Sequence, residues 1–156
     1  MADLYPVAGM KIYIGGTKTT QTSDLVAGDF ASESWTEVDG WETCGAFGDA
    51  AQVITTSLIN RGRDLKQKGT KNAGSMQCNF AQIDGDSGQA KLLTASQSTS
   101  NYAFRVDGSE TGGTPSKRYF VGLVMGFSEQ GGSANSIRMI QANIEINSNI
   151  VRVAAS

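Results

Sequence analysis

The segment from Ser136 to Ala154 alternates between apolar and polar side chains, and no other feature of the sequence constrains the fold as strongly. Successive side chains of a β-strand point to opposite faces, so this period of two predicts a long strand with one buried and one solvated face. The positions predicted to be buried are Ile140, Ala142, Ile144, Ile146 and Ile150. The positions predicted to meet solvent are Gln141, Asn143, Glu145, Asn147 and Asn149.

Other short runs rich in β-branched and aromatic residues predict further strands. These runs cover 10–16, 32–45, 51–60, 75–83, 101–106 and 118–129. Asp39-Gly40, inside the second run, predicts a hairpin turn or a bulge. The chain has 19 glycines and two prolines in 156 residues, which favours a turn-rich β protein. We therefore expect one domain over residues 1–156, mainly β, built as a β-sandwich or open barrel with one flanking α-helix.

One helix is predicted over residues 87–97. Asp86 is followed three residues later by Gln89, which is the pattern of a helix capping box. Leu92 and Leu93 follow on what should be the apolar side of the helix, so we expect them to be its most buried residues.

Charge is segregated along the chain. The acidic segment, residues 24–49, contains seven acidic residues and no basic one. The stretch from 60 to 74 is predicted to be an extended basic loop, and it has a net charge of +4 between residues 61 and 71. Its basic residues are Arg61, Arg63, Lys66, Lys68 and Lys71. Such a loop could bind a nucleic acid, bind another protein, or be a solvated flexible loop in the free monomer.

The residues needed for common catalytic and metal sites are missing from the sequence. It contains no histidine, which excludes Ser-His-Asp and Cys-His sites and histidine-bound metals. Asp84 and Asp86 begin like a calcium loop, but Gln89 and Ala95 stand where that loop needs Gly and Glu. We therefore expect no catalytic residues, no metal and no cofactor. Glu37 and Asp39 could share a strand face, but ordinary solvated carboxylates do the same.

The remaining conspicuous residues favour structural roles. Cys44 and Cys78 are expected to be free thiols, and Trp35 and Trp41 to be core or interface anchors. The N-terminal residues lack the apolar stretch of a signal peptide, and no run approaches the ~18 apolar residues of a membrane span.

Three stretches resemble the tail tube (major tail) proteins of long-tailed bacteriophages. "SWTEVDGWETCGAFGDAAQVITTSLINRG" is similar to their early Trp-x-x-Val-x-Gly strand and the strand after it. "RDLKQKGTKNAGSMQCNF" resembles their Lys-x-x-Gly-x-x-x-x-Gly loop that runs into a strand, and "DGDSGQAKLLTA" resembles their Asp-x-Gly-Gln-x-x-Leu helix start. The motifs span about residues 32–127, and the rest of the chain matches in strand order.

The resemblance implies a structural virion protein. Six copies would form a ring in which the inner sheets join, and rings would stack into a tube that conducts DNA into the host. Partners would be further copies of the chain and, by resemblance, the tape measure, tail terminator and baseplate proteins. The protein would be assembled in the host cytoplasm and would reside in the virion tail, with DNA passing through the tube without specific binding. Contractile tails and the inner tube of type VI secretion use the same fold.

This resemblance gives the predicted sites their roles. The basic loop would contact the adjacent subunit or ring, helix 87–97 would lie outside the assembly, and Gln141, Asn143, Glu145 and Asn147 would line the channel. The alternatives are a small nucleic-acid-binding module that uses residues 61–71, and a small enzyme, which only scattered carboxylates support.

Overall fold

The computed structural model describes residues 3–19 and 23–156 and confirms a mainly β chain with one α-helix. The helix, α1, spans Ser87–Gln97, and a single 3-10 turn spans Ala27–Phe30. The strands are β1 Lys11–Lys18, β2 Thr36–Glu37, β3 Trp41–Thr43, β4 Ala50–Thr56, β5 Leu65–Asn72, β6 Ser75–Ala81, β7 Asn101–Asp107, β8 Lys117–Gln130, β9 Met139–Ile146 and β10 Val151–Val153. One antiparallel sheet has the order β2-β1-β7-β8-β9-β6-β3, with β10 also paired to β8.

The two end strands of this sheet, β2 and β3, do not pair with each other but are consecutive in the chain, so the sheet folds over into a sandwich and residues 38–40 close the gap between its two edges. Val38 donates its backbone N–H to the Ile12 carbonyl at 2.9 Å, and Ala81 donates to the Gly40 carbonyl at 2.7 Å. Gly40 has a φ of +79°, and a Cβ at this position would lie 2.4 Å from the Ala81 carbonyl oxygen. Asp39-Gly40 is therefore a crossing between two sheet edges, not the hairpin turn or bulge expected from the sequence.

The main core lies inside this closed sheet. Its fully buried side chains come from strands in both halves of the sheet and from the helix. They include Ile12, Ile14, Met76, Cys78, Phe80, Leu92, Phe104, Val106, Phe120, Ile140, Ala142 and Ile144. Phe104 and Phe120, on neighbouring strands, are stacked with ring centroids 5.5 Å apart.

Helix α1 has the predicted bounds and the predicted cap, because the Asp86 carboxylate accepts a hydrogen bond from the Gln89 N–H at 2.9 Å. Leu92 is 1% exposed, as expected, but Leu93 is 40% exposed, so the prediction for Leu93 was wrong. Adjacent residues of an α-helix point about 100° apart, and only one of the two leucines can face the core.

The Gln89 side chain does not return to the cap residue as a capping box would require. It is buried, and it hydrogen-bonds three backbone groups of other segments. Its oxygen accepts from Ile83 N at 3.1 Å, and its nitrogen donates to the carbonyls of Asp39 at 2.9 Å and Ala81 at 2.8 Å. Gln89 therefore holds the helix to the crossing that closes the sheet.

The closing segment alternates as predicted, but it is interrupted. In β9, Ile140, Ala142, Ile144 and Ile146 are all buried. Strand pairing with β8 stops after Ile146, and residues 147–150 belong to no strand. β10 then pairs with β8 along the same side as β9 does. Asn149 is not part of the solvated row, because its side chain hydrogen-bonds both backbone groups of Leu25 at 2.8 and 3.0 Å.

A second apolar cluster covers the outer face of one half of the sheet. Phe30, Trp35 and Tyr119 stack there, and Ala103 and Val121 form its base. Trp41 packs instead against the main core. The two tryptophans therefore lie on opposite sides of the sheet, because the crossing between β2 and β3 separates them.

The prediction of an irregular basic loop over 60–74 was wrong. Residues 65–72 form β5, which pairs with β4 in a separate two-stranded sheet. A hairpin of this kind is hard to predict because its strand β5, "LKQKGTKN", lacks the apolar alternation of a strand packed on a core. Within the described parts of the chain, no helix is long and apolar enough to cross a membrane.

Candidate assembly surfaces

The most prominent surface feature is the hairpin of β4 and β5, which we call the arm (residues 50–72). Residues directly opposite each other in a sheet share a face, and Val53 pairs with Lys68 while Thr55 pairs with Lys66. An irregularity in β5 shifts the register so that Lys71 pairs with Ala51. Ala51, Val53 and Thr55 alternate along β4, so all three lysines lie on one face of the arm.

The opposite face of the arm carries two aliphatic side chains, Ile54 and Leu65, among polar ones. Ile54 pairs with Gln67 and Thr56 pairs with Leu65. Ile54 and Leu65 are 49% and 43% exposed, although both are large aliphatic side chains. The arm therefore has one face with three lysines and Val53, the lysine face, and one face with Ile54 and Leu65, and both faces are exposed in the part of the chain that the structure describes.

The turn at the tip of the arm, residues 57–64, combines apolar and basic side chains. Ile59 is fully exposed and Leu58 is 38% exposed. The Ser57 hydroxyl donates a hydrogen bond to the Asp64 carboxylate at 2.6 Å, and this bond closes the turn. Asp64 is the acidic residue of the basic stretch, and it therefore already has a partner. Arg61 and Arg63 are exposed in the same turn, so the tip presents two guanidinium groups beside two aliphatic side chains.

The arm is joined to the body of the domain through two glycines. Gly48 and Gly74 both have positive φ angles, +147° and +83°, at the positions where the chain enters and leaves the arm. Among residues 3–19 and 23–156, β4 and β5 pair with each other and with no other strand. A lone two-stranded hairpin is marginally stable in water, so the pairing of β4 with β5 by itself gives the arm little stability.

A second surface lies on the outer side of β6 and β9. Ser75 pairs with Glu145, Gln77 with Asn143, and Asn79 with Gln141, and every inward-facing neighbour of these residues is buried. The Ser75 hydroxyl hydrogen-bonds the Asn143 side-chain oxygen at 2.5 Å. We call this surface the amide face; its members are Ser75, Gln77, Asn79, Gln141, Asn143 and Glu145.

The amide face has one charged group in six residues, so it is hydrophilic and almost neutral. Asn147 lies just beyond the end of β9, where its side-chain nitrogen donates to Asn101 Oδ1 at 3.1 Å. The β6 residues Ser75, Gln77 and Asn79 were not predicted as part of this surface. Their alternation was visible in the sequence, but the pairing of β6 with β9 was not.

No protein-family model matches the sequence, and no curated protein has a matching sequence. Solved structures do match the fold. A chain of the six-fold symmetrised anti-feeding prophage (AFP) baseplate superposes with a TM-score of 0.73 at 9% identity, covering 99% of this chain and 98% of that one. The tail tube of phage SPP1 matches with a TM-score of 0.69 at 14% identity, over 96% of this chain and 80% of the other. A chain of the sheath/tube terminator of PVC, an extracellular contractile injection system, gives 0.72 at 8% identity, over 98% and 99%.

The chain has the tail-tube fold. In this instance of the tail-tube fold, the predicted site residues form two separate groups. Lys66, Lys68 and Lys71 share one face of the arm, with Arg61 and Arg63 in its tip. Gln141, Asn143 and Glu145 belong to the amide face, and Asn147 lies at its end.

Several carboxylates of the acidic segment are engaged within the subunit. Glu33 is 2.7 Å from Lys18 Nζ and accepts from the Gly16 N–H at 2.8 Å. Burial raises the pKa of Glu33, but the hydrogen bonds from Lys18 and Gly16 outweigh it and hold this pKa below its ordinary value. Asp29 accepts from a backbone N–H at the start of the 3-10 turn at 2.9 Å, and Asp39 accepts from the N–H that follows it.

The two cysteines are free thiols, as predicted. Burial raises the pKa of the Cys78 thiol to about 12, and burial also raises the pKa of Cys44. Both are therefore protonated near neutral pH and are poor nucleophiles. In residues 3–19 and 23–156, no group of histidine, cysteine, aspartate or glutamate side chains could hold a metal ion.

Proposed function

We propose that this chain is the structural subunit of the tail tube of a phage or a phage-derived particle, and is not an enzyme. The observation that supports this proposal is the match of nearly the whole chain to structures from a tail tube, a baseplate and a tube terminator. A fold can serve many functions, so the two surfaces must supply the rest of the argument.

The first part of the proposal is a hexameric ring. The AFP baseplate chain comes from a six-fold symmetrised structure. Rings that stack through identical contacts form a filament, because a head-to-tail contact that does not close on itself continues indefinitely. The same tube would contact a tape measure, a terminator and a baseplate protein, and it would be part of the virion tail.

The second part concerns the channel. DNA has one negative charge per ~1.7 Å of its axis, so a basic wall would bind it and slow its passage. The amide face offers neutral polar groups with one carboxylate, which solvate the wall without binding phosphate. We propose that Gln141, Asn143, Glu145 and Asn147 line the channel together with the polar residues of β6. Helix α1 packs on the core side of the same sheet, so it would lie away from the channel.

The third part assigns the arm to the contact between subunits or rings. Both faces of the arm are exposed among residues 3–19 and 23–156, and a second copy of the chain would supply a surface to cover one of them. The competing proposal is that the lysine face binds nucleic acid. Nucleic-acid binding by the lysine face predicts a DNA affinity that falls steeply as the salt concentration rises.

Electron microscopy of the concentrated protein tests the proposal directly. We expect rings or tubes in negative stain, and no shift of DNA in a gel at physiological salt. A persistent monomer that binds DNA with a steep salt dependence would contradict the tube and favour the nucleic-acid-binding module.

The role of the arm is tested by reversing Lys66 and Lys68 to Glu. Each exposed ion pair contributes only ~0–1 kcal/mol, but a contact that repeats around a ring multiplies the effect. We expect a folded monomer by circular dichroism and loss of tubes by sedimentation. The matched control is Lys66→Gln with Lys68→Gln, which has nearly the same shape and should weaken assembly less. If the Glu variant forms tubes as well as wild type at low salt, the arm is not an assembly element.

The channel assignment is tested by labelling a cysteine at position 143 in assembled tubes. A small thiol reagent should react with Asn143→Cys and a bulky one should not, while Gln97→Cys on α1 should react with both. Equal reaction of Asn143→Cys with the bulky reagent would place the amide face outside. A second variant, Asn143→Lys with Asn147→Lys, should still form tubes but slow the release of DNA.

A further inference from the structure

A groove that the proposed function does not use lies between the start of α1 and the end of β8. It has a volume of about 170 Å³, and its apolar lining includes Ile83, Leu93 and Phe127. Ile83 and Leu93 are 39% and 40% exposed, so the groove presents large aliphatic side chains to solvent. We call this feature the α1–β8 groove.

The α1–β8 groove has an acidic rim. Asp84, Asp86 and Glu129 line it, and Arg138 is the nearby basic residue, 3.8 Å from Asp84 in a solvent-exposed pair. Asp86 is also the residue that caps the helix, through the hydrogen bond that its carboxylate accepts from the Gln89 N–H. The rim therefore combines three carboxylates with one guanidinium, and it surrounds an apolar floor.

The sheet edge beside the groove is also unpartnered. β7 pairs with β8 only as far as Gly122, and within residues 3–19 and 23–156 no strand pairs with that side of β8 beyond this residue. Helix α1 runs along this edge without covering it completely, since Met125 is 62% exposed. An open edge beside an apolar groove is a common docking site for another protein segment.

The tip of the arm has the complementary chemistry. It presents Leu58 and Ile59 next to Arg61 and Arg63, and its own Asp64 is already bound by Ser57. An aliphatic side chain flanked by two guanidinium groups fits an apolar floor flanked by carboxylates, because arginine pairs well with carboxylates and opposite charges fix the register of a contact.

We propose that the tip of the arm of one subunit docks in the α1–β8 groove of another copy, with Ile59 between Leu93 and Phe127 and with Arg61 and Arg63 beside Asp84 and Glu129. This inference rests on the proposed function, since it names the surface that receives the arm. The acidic segment is a weaker candidate for that surface, because several of its carboxylates are engaged by groups of their own subunit.

A charge exchange tests the pairing. The tip variant has Arg61→Glu and Arg63→Glu, and the groove variant has Asp84→Arg and Glu129→Arg. Each alone should raise the protein concentration needed for tube formation about tenfold or more, and the chain with all four changes should recover most of that loss. The matched control combines the tip variant with Asp24→Arg and Asp49→Arg in the acidic segment, and it should not recover.

The outcomes separate this inference from the proposed function. If wild type forms no tubes, the proposed function fails. If the tip variant loses assembly but the groove exchange does not restore it, the arm remains an assembly element and the groove is not its partner surface. If neither variant affects assembly, the docking is refuted.

Cross-linking supplies a measurement that does not depend on charge. Ile59→Cys and Leu93→Cys proteins, mixed during assembly and treated with a short bismaleimide, should give a covalent dimer. Each variant assembled alone serves as the control, and it should give much less dimer. Equal yields in the mixed and single samples would overturn the proposed contact.

Discussion

Leu92 and Leu93 of helix α1 provide a sharp test of the structure, because adjacent and identical residues should respond differently to the same change. Leu→Ala removes three carbons, and at about 0.8 kcal/mol per buried CH₂ the transfer cost is about 2.4 kcal/mol. Leu92 is 1% exposed in the core, so a cavity adds to this and the expected total is about 2.7–5 kcal/mol. Leu93 is 40% exposed, so at most about 1.4 kcal/mol is lost and no closed cavity forms.

Urea denaturation of the unassembled subunit measures both losses of free energy, and thermal denaturation measures the corresponding changes in Tm. In a 156-residue chain, each 1 kcal/mol corresponds to about 2–4 °C in Tm. Leu92→Ala should therefore lower the Tm by about 5–20 °C, and Leu93→Ala by about 6 °C or less. Leu93→Ala should instead weaken tube formation through the α1–β8 groove. Equal losses of stability for the two variants would refute the packing of α1 described above.

Three further predictions concern groups inside the subunit. Gln89→Leu removes three hydrogen bonds to backbone groups and should cost about 2–4 kcal/mol in urea denaturation; a loss below ~0.5 kcal/mol would show that water replaces them. The pKa of Glu33 is lower in the folded protein than its ordinary value of 4.5, so its stabilising pairing with Lys18 is complete above that pH and is lost as the pH falls through the folded pKa. Glu33→Gln should flatten the loss of stability on acidification, and an unchanged acid profile would count against this pairing. Cys78, with its pKa raised to about 12, should resist thiol reagents at mildly alkaline pH until the chain unfolds. Half-buried Cys44 should react before Cys78 does. Rapid labelling of Cys78 in the folded protein would contradict its burial.

Local patterns in the sequence were sufficient for several elements. The bounds and the cap of α1 follow from Asp86 and from the composition of the next residues, because capping is a contact between near neighbours in the chain. The buried row of β9 follows from its alternation, because side chains on one strand must alternate between faces wherever the strand pairs. Three of the four residues predicted to line the channel do share the amide face for this reason, and the fourth, Asn147, lies just beyond the strand.

Other features depend on contacts between distant parts of the chain, and the tertiary structure alone decided them. The burial of Leu92 rather than Leu93 depends on the angle at which the helix meets the sheet. The sequence did not predict that residues 65–72 form a strand that pairs with β4. A strand that covers no core has no need of apolar alternation, which is the pattern by which strands are predicted.

The sequence alone determined that this protein is a mainly β domain with one helix, a polar strand face and segregated charge. Each of these properties depends on a few consecutive residues, because the backbone geometry and the side-chain polarity of neighbours in the chain are sufficient to produce it. Only the tertiary structure decided that β2 and β3 close the sheet, that β6 completes the amide face, and that Ile83, Leu93 and Phe127 form one groove. Those arrangements join residues tens of positions apart, and the free energy that selects them comes from burial and pairing of the whole chain.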